Sequence, residues 1–448
     1  MIGHDRLFSE LQRLLKRSDA DATSICAQTS RRRVMRFAYD AIHQDLVQES
    51  ITVHFKVIRD KRVGVAATDT LDRTSLHRAL HAALEIAGHA PPMKHLAALP
   101  GRFDLITSQD YTAETINIPA IDIVRMVKRL FQLAKGAGAQ LAGSHVVGDD
   151  ERAVVNSNGV RCYAASTVAG AKLVAMYRKL SGYGSVASRQ LDGLDVDGLL
   201  ERALKQCLVR HDPVTLPTGE YEVLLEPEAI AELIMWMGYI AFGAKSFQEH
   251  TSCFAGRLGE KIVGREVTIV DDGNDPSLLR MPFDFEGVPK QRVTLIDRGV
   301  AANIVYDTAY GALYGQPSTG HGLPPDEIDG PAPSHMLMQP GSKTRAELIR
   351  SCKRGLLIPR FHYVSGLLNP REALMTGLTR EGAFLIEDGK LTRPLATMRF
   401  TQSLLEALQH VRGISKERQL VADPAQDFGC AVMPTVHLAR FRFTGRSQ

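Results

Sequence analysis

The sequence lacks paired cysteines and long apolar runs, and both absences narrow what the protein can be. Its six cysteines stand singly, with no Cys-x-x-Cys pair and no compact Cys/His cluster of the kind that structural zinc sites use. No segment reaches the roughly 18 uninterrupted apolar residues that a bilayer-spanning helix requires. We therefore expect a cytoplasmic protein with reduced thiols and no membrane partner.

Neither basic nor acidic residues are in large excess. The 54 basic residues are interleaved with 50 acidic ones, which leaves a formal net charge of +4. Because a dedicated nucleic-acid binder gathers its basic residues into a patch or stripe, this composition argues against nucleic acid as a partner. The chain has 448 residues, of which 44% are hydrophobic. That is enough for two or three globular domains.

The first half of the chain alternates helix-like and strand-like segments. An apolar stripe over residues 7–15 predicts an amphipathic helix, and helical periodicity returns over residues 75–87 and 120–135. Residues 51–57 alternate between apolar and polar side chains, as expected of a strand with one buried face. The Asn-Gly step within residues 156–159 predicts a hairpin between two strands.

The pattern breaks at Pro213, Pro217 and Gly219, where we predict a domain boundary. The predicted domains are an N-terminal α/β domain, residues 1–212, and a C-terminal domain, residues 213–448. The second is rich in glycine and proline and in short β-like runs. The fold class is therefore predicted to be α+β, with helices over an antiparallel or mixed sheet in the N-terminal part and a β-rich C-terminal part.

Four short motifs follow one another in the C-terminal half. They are Phe254-Ala-Gly-Arg-Leu-Gly-Glu260, Val267-Thr-Ile-Val-Asp-Asp-Gly273, Phe283-Asp-Phe-Glu-Gly-Val288 and Pro317-Ser-Thr-Gly-His-Gly-Leu323. In order and spacing this block resembles the TldD/PmbA (TldE) family of peptide-processing proteins, whose members are also named modulators of DNA gyrase. The resemblance covers most of residues 150–448 and implies the intertwined two-part fold of that family.

Catalytic TldD-type members carry a helical His-Glu-x-x-x-His motif and a distant cysteine, and the resemblance implies that these hold a catalytic metal. A gap-free count places the three motif positions at Met235, Trp236 and Ile240, inside a segment, residues 227–242, that we expect to be a packed helix. A thioether, an indole and an alkyl chain are not zinc ligands. We therefore expect a TldE-like member with no metal, no cofactor and no catalytic residues of its own.

Four side chains are candidates for peptide contact: His250, His321, His362 and Tyr363. His321 lies between glycines, which allow a peptide backbone to come close, although turn formation explains the same pattern. His362 and Tyr363 follow each other in an apolar run, where a strand edge could present a ring and where core packing of one residue is the alternative. His250 fits an ordinary surface position, and the Asp-Gly step in residues 271–273 fits a turn.

Three functions remain open at this point. The first is a metal-free TldE-like subunit that pairs with a TldD-like metalloprotease, which carries the zinc, or forms a homodimer, and acts on unstructured peptides. The second is an active metallopeptidase whose ligands come from Glu249, His250, His321 or His362. The third is a regulatory protein that binds DNA gyrase or another partner. The TldE-like pseudoenzyme is the favoured hypothesis, because the family motifs are present and the ligands are not.

Overall fold

The computed structural model describes residues 1–425 and 429–446, and within them the chain forms ten α-helices, two single-turn 3₁₀ helices and twenty strands. The α-helices are α1 (His4–Leu15), α2 (Arg73–His89), α3 (Ala113–Ile116), α4 (Ala120–Gly136), α5 (Val196–Cys207), α6 (Pro227–Ile240), α7 (Ala244–Gln248), α8 (Thr308–Tyr314), α9 (Arg345–Ser351) and α10 (Leu404–Gln409). The first ten strands are β1 (Ala22–Ala38), β2 (Ala41–Arg59), β3 (Arg62–Thr68), β4 (Asp104–Asp110), β5 (Gln140–Asn156), β6 (Arg161–Tyr177), β7 (Leu180–Ser188), β8 (Gly219–Leu225), β9 (Ile269–Asp271) and β10 (Val293–Asp297). The others are β11 (Val300–Ala301), β12 (His335–Met338), β13 (Arg354–Ile358), β14 (Arg360–Asn369), β15 (Leu374–Arg380), β16 (Phe384–Glu387), β17 (Lys390–Pro394), β18 (Met398–Ser403), β19 (Val411–Ala422) and β20 (Cys430–Arg446).

The N-terminal sheet has the strand order β3-β2-β1-β5-β6-β4, with β7 also pairing with β6. Its neighbouring strands are antiparallel, except that β4 runs parallel to β6. The turn between β5 and β6 uses Gly159, whose φ of 96° lies in the left-handed region that favours glycine. The predicted hairpin at residues 156–159 is confirmed.

Helices cover the face of this sheet that carries the apolar odd-numbered residues of β1, β5 and β6. Helices α1 and α2 pack over Ile25 and Val155, and α4 and α5 pack over Met35 and Leu173. All four of these strand residues are almost completely buried. Side chains alternate along a strand, so the even-numbered residues point to the opposite face.

That opposite face meets the C-terminal half of the chain. Cys26 and Val154 pack there against Phe283, which comes from the loop before β10. Charged side chains such as Arg32 and Arg152 project from the same strands. The contact between the two halves is therefore partly apolar and partly ionic.

The C-terminal sheet is centred on β20, which pairs with β8, β12, β18 and β19. Helix α6 covers one of its faces, where Val223 and Leu225 join the largest core cluster. Leu224 points to the other face and packs beneath α9 with Leu348. Neighbouring residues of β8 thus serve two separate cores, as the two-residue repeat of a strand requires.

The predicted fold class is confirmed: helices lie over a mixed sheet in the N-terminal part, and the C-terminal part is rich in strands. The predicted boundary at residue 212 falls in the segment between α5 and β8. Within residues 1–425 and 429–446, no helix is long and apolar enough to cross a membrane.

Candidate functional site

Helix α6 is the element on which the sequence places the metal motif of catalytic relatives. It begins with Pro227 in its first turn, where the fixed φ of proline suits a helix start. Ile240 is 5% exposed, and Met235 and Trp236 lie partly buried against the largest core cluster. The three motif positions are therefore occupied by packed side chains that offer a metal ion no ordinary ligand.

Trp236 has a close neighbour that fits its ring. The indole packs against Gly366 of β14, where a Cβ atom would lie only 2.9 Å from Cε3 of Trp236. The same indole meets the ring of Tyr239 edge to face at a centroid distance of 6.0 Å. A side chain at residue 366 would displace the indole, so the local packing is adapted to tryptophan at this motif position.

Two carboxylates and the indole of Trp236 share one face of α6, and Glu228 on this face contacts the N-terminal half. Glu228, Glu232 and Trp236 are spaced by four residues, which places them on one face of the helix. Burial raises the pKa of Glu228 to about 7, although a hydrogen bond from Ser185 and the positive charge of Arg360 oppose that rise. The Oγ atom of Ser185 lies 2.9 Å from Oε1 of Glu228. This carboxyl group therefore links β7 to α6.

Glu232, one turn further along α6, is more exposed than Glu228. Partial desolvation raises its pKa, while the charge of Arg360 and a hydrogen bond from Trp236 act in the opposite direction. Arg360 itself lies 4.1 Å from the ring centre of Tyr183 and pairs with Glu381 at 3.1 Å. This cluster was not predicted from the sequence, although the spacing of four between residues 228, 232 and 236 is a local signal for a shared helix face.

His321 lies inside the protein and is only 1% exposed. Its Nε2 atom is 2.8 Å from Oδ1 of Asp271, and its Nδ1 atom is 2.9 Å from the backbone oxygen of Thr319. Burial lowers the pKa of His321, and the nearby charge of Lys290 lowers it further. This geometry favours the turn-stabilising alternative for His321 over direct contact with a peptide.

Asp271 anchors a buried polar network in the C-terminal half. Its Oδ2 atom accepts hydrogen bonds from the backbone N–H groups of Ser334 and His335, at 2.9 and 2.7 Å. Burial alone would raise the pKa of Asp271, but the charges of Lys290 and His321 hold it below its ordinary value. The Nζ atom of Lys290, whose side chain is 1% exposed, lies 3.8 Å from Oδ1 of Asp271. The Asp-Gly step, Asp272-Gly273, leads into a turn as predicted, whereas Asp271 just before it ends the buried strand β9.

The other candidates for peptide contact lie nearer the surface. Tyr363 is 77% exposed and has a left-handed φ of 51°, and its ring lies 4.0 Å from that of His362. Both residues belong to β14, whose hydrogen-bonded neighbour among the described strands is β15. His250 is exposed just after α7, next to a Glu249 that faces Lys245 at 3.9 Å. The structure thus separates His250 and His321 and keeps His362 with Tyr363 on one strand.

One group of possible metal donors occurs within residues 1–425 and 429–446: Glu222, Cys352 and His437, whose donor atoms lie within 4.8 Å of one another. Glu222 and His437 point to the α9 face of the sheet, opposite α6, because Val223 and Leu438 face α6. The Nε2 atom of His437 lies 2.7 Å from Oε1 of Glu222, and Arg412 pairs with Oε2 at 2.5 Å. Hydrogen bonds and a cation thus satisfy the carboxylate without a metal, and Glu249, His250, His321 and His362 do not belong to the group.

Comparison with known proteins agrees with this fold. Residues 218–445, just over half of the chain, match the model of the PmbA/TldA metallopeptidase C-terminal domain. The chain belongs to the PmbA/TldD family. It is 28% identical over 258 residues to a metalloprotease TldD homolog of Haemophilus influenzae, an alignment that covers 53% of the chain and 52% of that relative. Across the first curated relatives, the alignments span 44–64% of each relative's length.

Two solved structures share almost the whole fold. TldE from Thermococcus kodakarensis superposes with a TM-score of 0.87 at 25% identity, over 97% of this chain and 100% of that one. A Thermotoga maritima protein described as a candidate modulator of a DNA gyrase superposes with a TM-score of 0.84 at 19% identity, over 98% and 100% of the two chains. At 19% identity, the second similarity supports a shared fold and nothing further.

Proposed function

We propose that this PmbA/TldD-family chain is a TldE-like subunit that binds no catalytic metal and pairs with a TldD-like metalloprotease acting on unstructured peptides. The observation that carries the proposal is the packing of α6. Met235, Trp236 and Ile240 fill the motif positions with side chains that cannot ligate zinc. The similarity to a solved TldE at a TM-score of 0.87 supports the same assignment.

Strand β14 gives such a subunit a way to hold substrate. Its one hydrogen-bonded neighbour among the described strands is β15, so its other edge has no strand partner there. An open strand edge binds an extended peptide through backbone hydrogen bonds, and exposed side chains on the strand add selectivity. Tyr363 is exposed on this strand and packs against His362. We assign β14 to contact with the peptide.

A reconstitution experiment tests the subunit assignment. The chain is purified alone and together with a family member from the same organism that retains His-Glu-x-x-x-His, and cleavage of β-casein is followed with and without a chelator. We expect no cleavage by the chain alone and chelator-sensitive cleavage by the mixture. Chelator-sensitive cleavage by the chain alone would refute the assignment and support the metallopeptidase alternative.

A matched pair of variants tests the role of β14. Tyr363→Asn removes the exposed ring but keeps a residue type that tolerates a left-handed φ. Tyr39→Asn is the control, since Tyr39 is 71% exposed and has a φ of 49° in the turn between β1 and β2. We expect Tyr363→Asn to raise the KM for β-casein in the mixture severalfold while Tyr39→Asn leaves it unchanged. Equal effects of the two variants would rule out peptide contact at β14.

A further inference from the structure

A cavity of about 110 Å³ lies where the face of the N-terminal sheet opposite its helices meets the C-terminal half. Strands β1, β5 and β6 form one wall, and residues 279–283 form part of the other. Four arginines line it: Arg32, Arg152, Arg189 and Arg280. The concentration of guanidinium groups around so small a space raises the question of which anions balance them.

Two of the four arginines pair with acids of the same lining. Both Oδ atoms of Asp150 lie 2.7 Å from Nη2 of Arg32. Asp110 holds Arg280 through several contacts, including one of 3.0 Å from Nε to Oδ2. Arg189 donates to the backbone oxygens of Thr167 and Arg280, at 3.2 and 2.6 Å. Each of these side chains is fixed by oxygen atoms of the protein.

Arg152 differs from the other three arginines because no oxygen atom of the described residues accepts a hydrogen bond from its guanidinium group. It is 9% exposed, and among the described residues no carboxylate oxygen lies within 4.0 Å of its guanidinium nitrogens. Its Nη1 atom lies 2.7 Å from the thioether sulfur of Met281, which is a weak acceptor, and its Cζ atom lies 3.8 Å from the ring centre of Phe285. Its Nε atom is buried without a hydrogen-bond partner. A permanently charged group is thus held at the cavity wall by a sulfur atom and a ring.

The other acids of the lining are used elsewhere. Glu151 points to the opposite face of the sheet, where it accepts hydrogen bonds from the backbone of Ile2 and Gly3 and from the hydroxyl of Tyr163. Asp423 pairs with Lys172 at 2.5 Å. The charge of Arg152 therefore has no nearby anion within the described part of the chain, and a buried cation without an anion is costly.

We propose that this cavity binds the carboxylate group of a ligand and that Arg152 is the residue that pairs with it. A planar guanidinium presents parallel N–H groups that match the two oxygens of a carboxylate. A volume of about 110 Å³ is well above the roughly 10–15 Å³ that a single water molecule needs, so the cavity accommodates a small carboxylate group. A larger ligand, such as a peptide with a free C-terminus, would place its terminal carboxylate there.

Binding is tested on the chain alone, so its outcome does not depend on whether the proposed protease subunit assignment is right. Acetate is titrated against chloride at constant ionic strength, and the melting temperature and the heat of binding are measured. We expect a saturable rise in melting temperature with acetate for the unmodified chain. Arg152→Met should weaken acetate binding by at least about tenfold, because the charge-assisted pair is lost.

The control is Arg161→Met, which makes the same change of charge outside the cavity. Arg161 also stacks on a ring, with its Cζ atom 5.1 Å from the ring centre of Phe8. If Arg152→Met does not fold, Arg152→Lys serves instead, since it keeps the charge and loses the planar donor pair, and it should bind acetate with intermediate strength. Equal acetate binding by the Arg152 and Arg161 variants, or no saturable effect on the unmodified chain, overturns the proposal.

Two further titrations identify the source of the carboxylate. A tripeptide with a free C-terminus is compared with the same tripeptide carrying a C-terminal amide. If the free acid competes with acetate and the amide does not, the cavity takes a peptide terminus. If neither competes while acetate binds, the natural ligand is a small free carboxylate, and the proposal stands in that form.

Discussion

Acid should destabilise the fold through His145, a buried histidine on β5. This residue is 1% exposed, and neither of its ring nitrogens has a hydrogen-bond partner among the described residues. It pairs across the sheet with Met35 on one side and Ala171 on the other, and both belong to the core beneath α4 and α5. The surroundings are apolar, so they disfavour a charged imidazolium.

The size of the effect follows from the pKa of His145, which burial lowers from 6.5 to about 4. The folded state therefore favours the neutral ring, and the unfolded state binds a proton at higher pH. This contribution to stability is fully present above pH 6.5 and is lost as the pH falls through 4. At pH 5 the linkage relation gives a loss of about 2 kcal/mol from this one residue.

The substitution His145→Leu isolates this contribution from those of other histidines. It removes two buried polar atoms that lack partners, so the free energy of unfolding should rise by about 1–3 kcal/mol at pH 7.5. At pH 5 the variant should gain about a further 2 kcal/mol relative to the unmodified chain, because it has no proton to take up. Urea unfolding followed by circular dichroism at both pH values measures the two differences.

The control is His81→Leu on the exposed side of α2, where the side chain is 73% exposed. It should leave the dependence of stability on pH unchanged. If the His145→Leu variant and the unmodified chain lose the same stability between pH 7.5 and 5, burial is not what lowers the proton affinity of His145, and the reasoning fails.

Two other substitutions probe the regions around the candidate site. Asp271→Asn should lower the free energy of unfolding by about 3–5 kcal/mol, because it leaves Lys290 as a buried charge without its anion. The control is Asp272→Asn, which removes a partly exposed ion pair with Arg292. It should lower the free energy of unfolding by less than about 1 kcal/mol in the same urea assay. Gly366→Val should cost about 1–3 kcal/mol and alter the fluorescence of Trp236, because the new side chain would overlap the indole. The control is Gly88→Ala, where no atom lies within 4 Å of the added Cβ, so the free energy of unfolding should stay the same or rise. An equal loss of stability in the two glycine variants would contradict the packing argument.

Local patterns were sufficient for the long helices of the N-terminal half. The predicted segments 75–87 and 120–135 correspond to α2 (Arg73–His89) and α4 (Ala120–Gly136), since apolar spacing and Asp72 at the N-cap of α2 are visible in the sequence. Strand β1 was not predicted. It contains the run Arg31-Arg32-Arg33, which hides the alternation, and its length is set by pairing with β2 and β5 along the whole strand. Such pairing is a tertiary effect that no local pattern records.

The candidate site shows the same limit. The sequence placed Met235, Trp236 and Ile240 on a packed helix, because an apolar stretch between Pro227 and Phe242 is a local signal. It did not reveal that Asp271 would meet His321, 50 residues later, inside the core. The pattern Asp-Asp-Gly is typical of a turn, and only the fold shows that its first carboxylate is enclosed by backbone N–H groups and a lysine.

The packing around α6 also decides how the missing ligands are to be understood. If the metal motif had simply decayed, the neighbouring residues would still fit imidazole and carboxylate groups. Instead Gly366 leaves room for the indole of Trp236, and Ile240 is enclosed in the main core of the C-terminal half. A helix fitted in this way to apolar side chains cannot recover a metal site without repacking its neighbours. In the proposed assembly, the metal must therefore come from the partner, and this chain contributes surfaces that position the peptide.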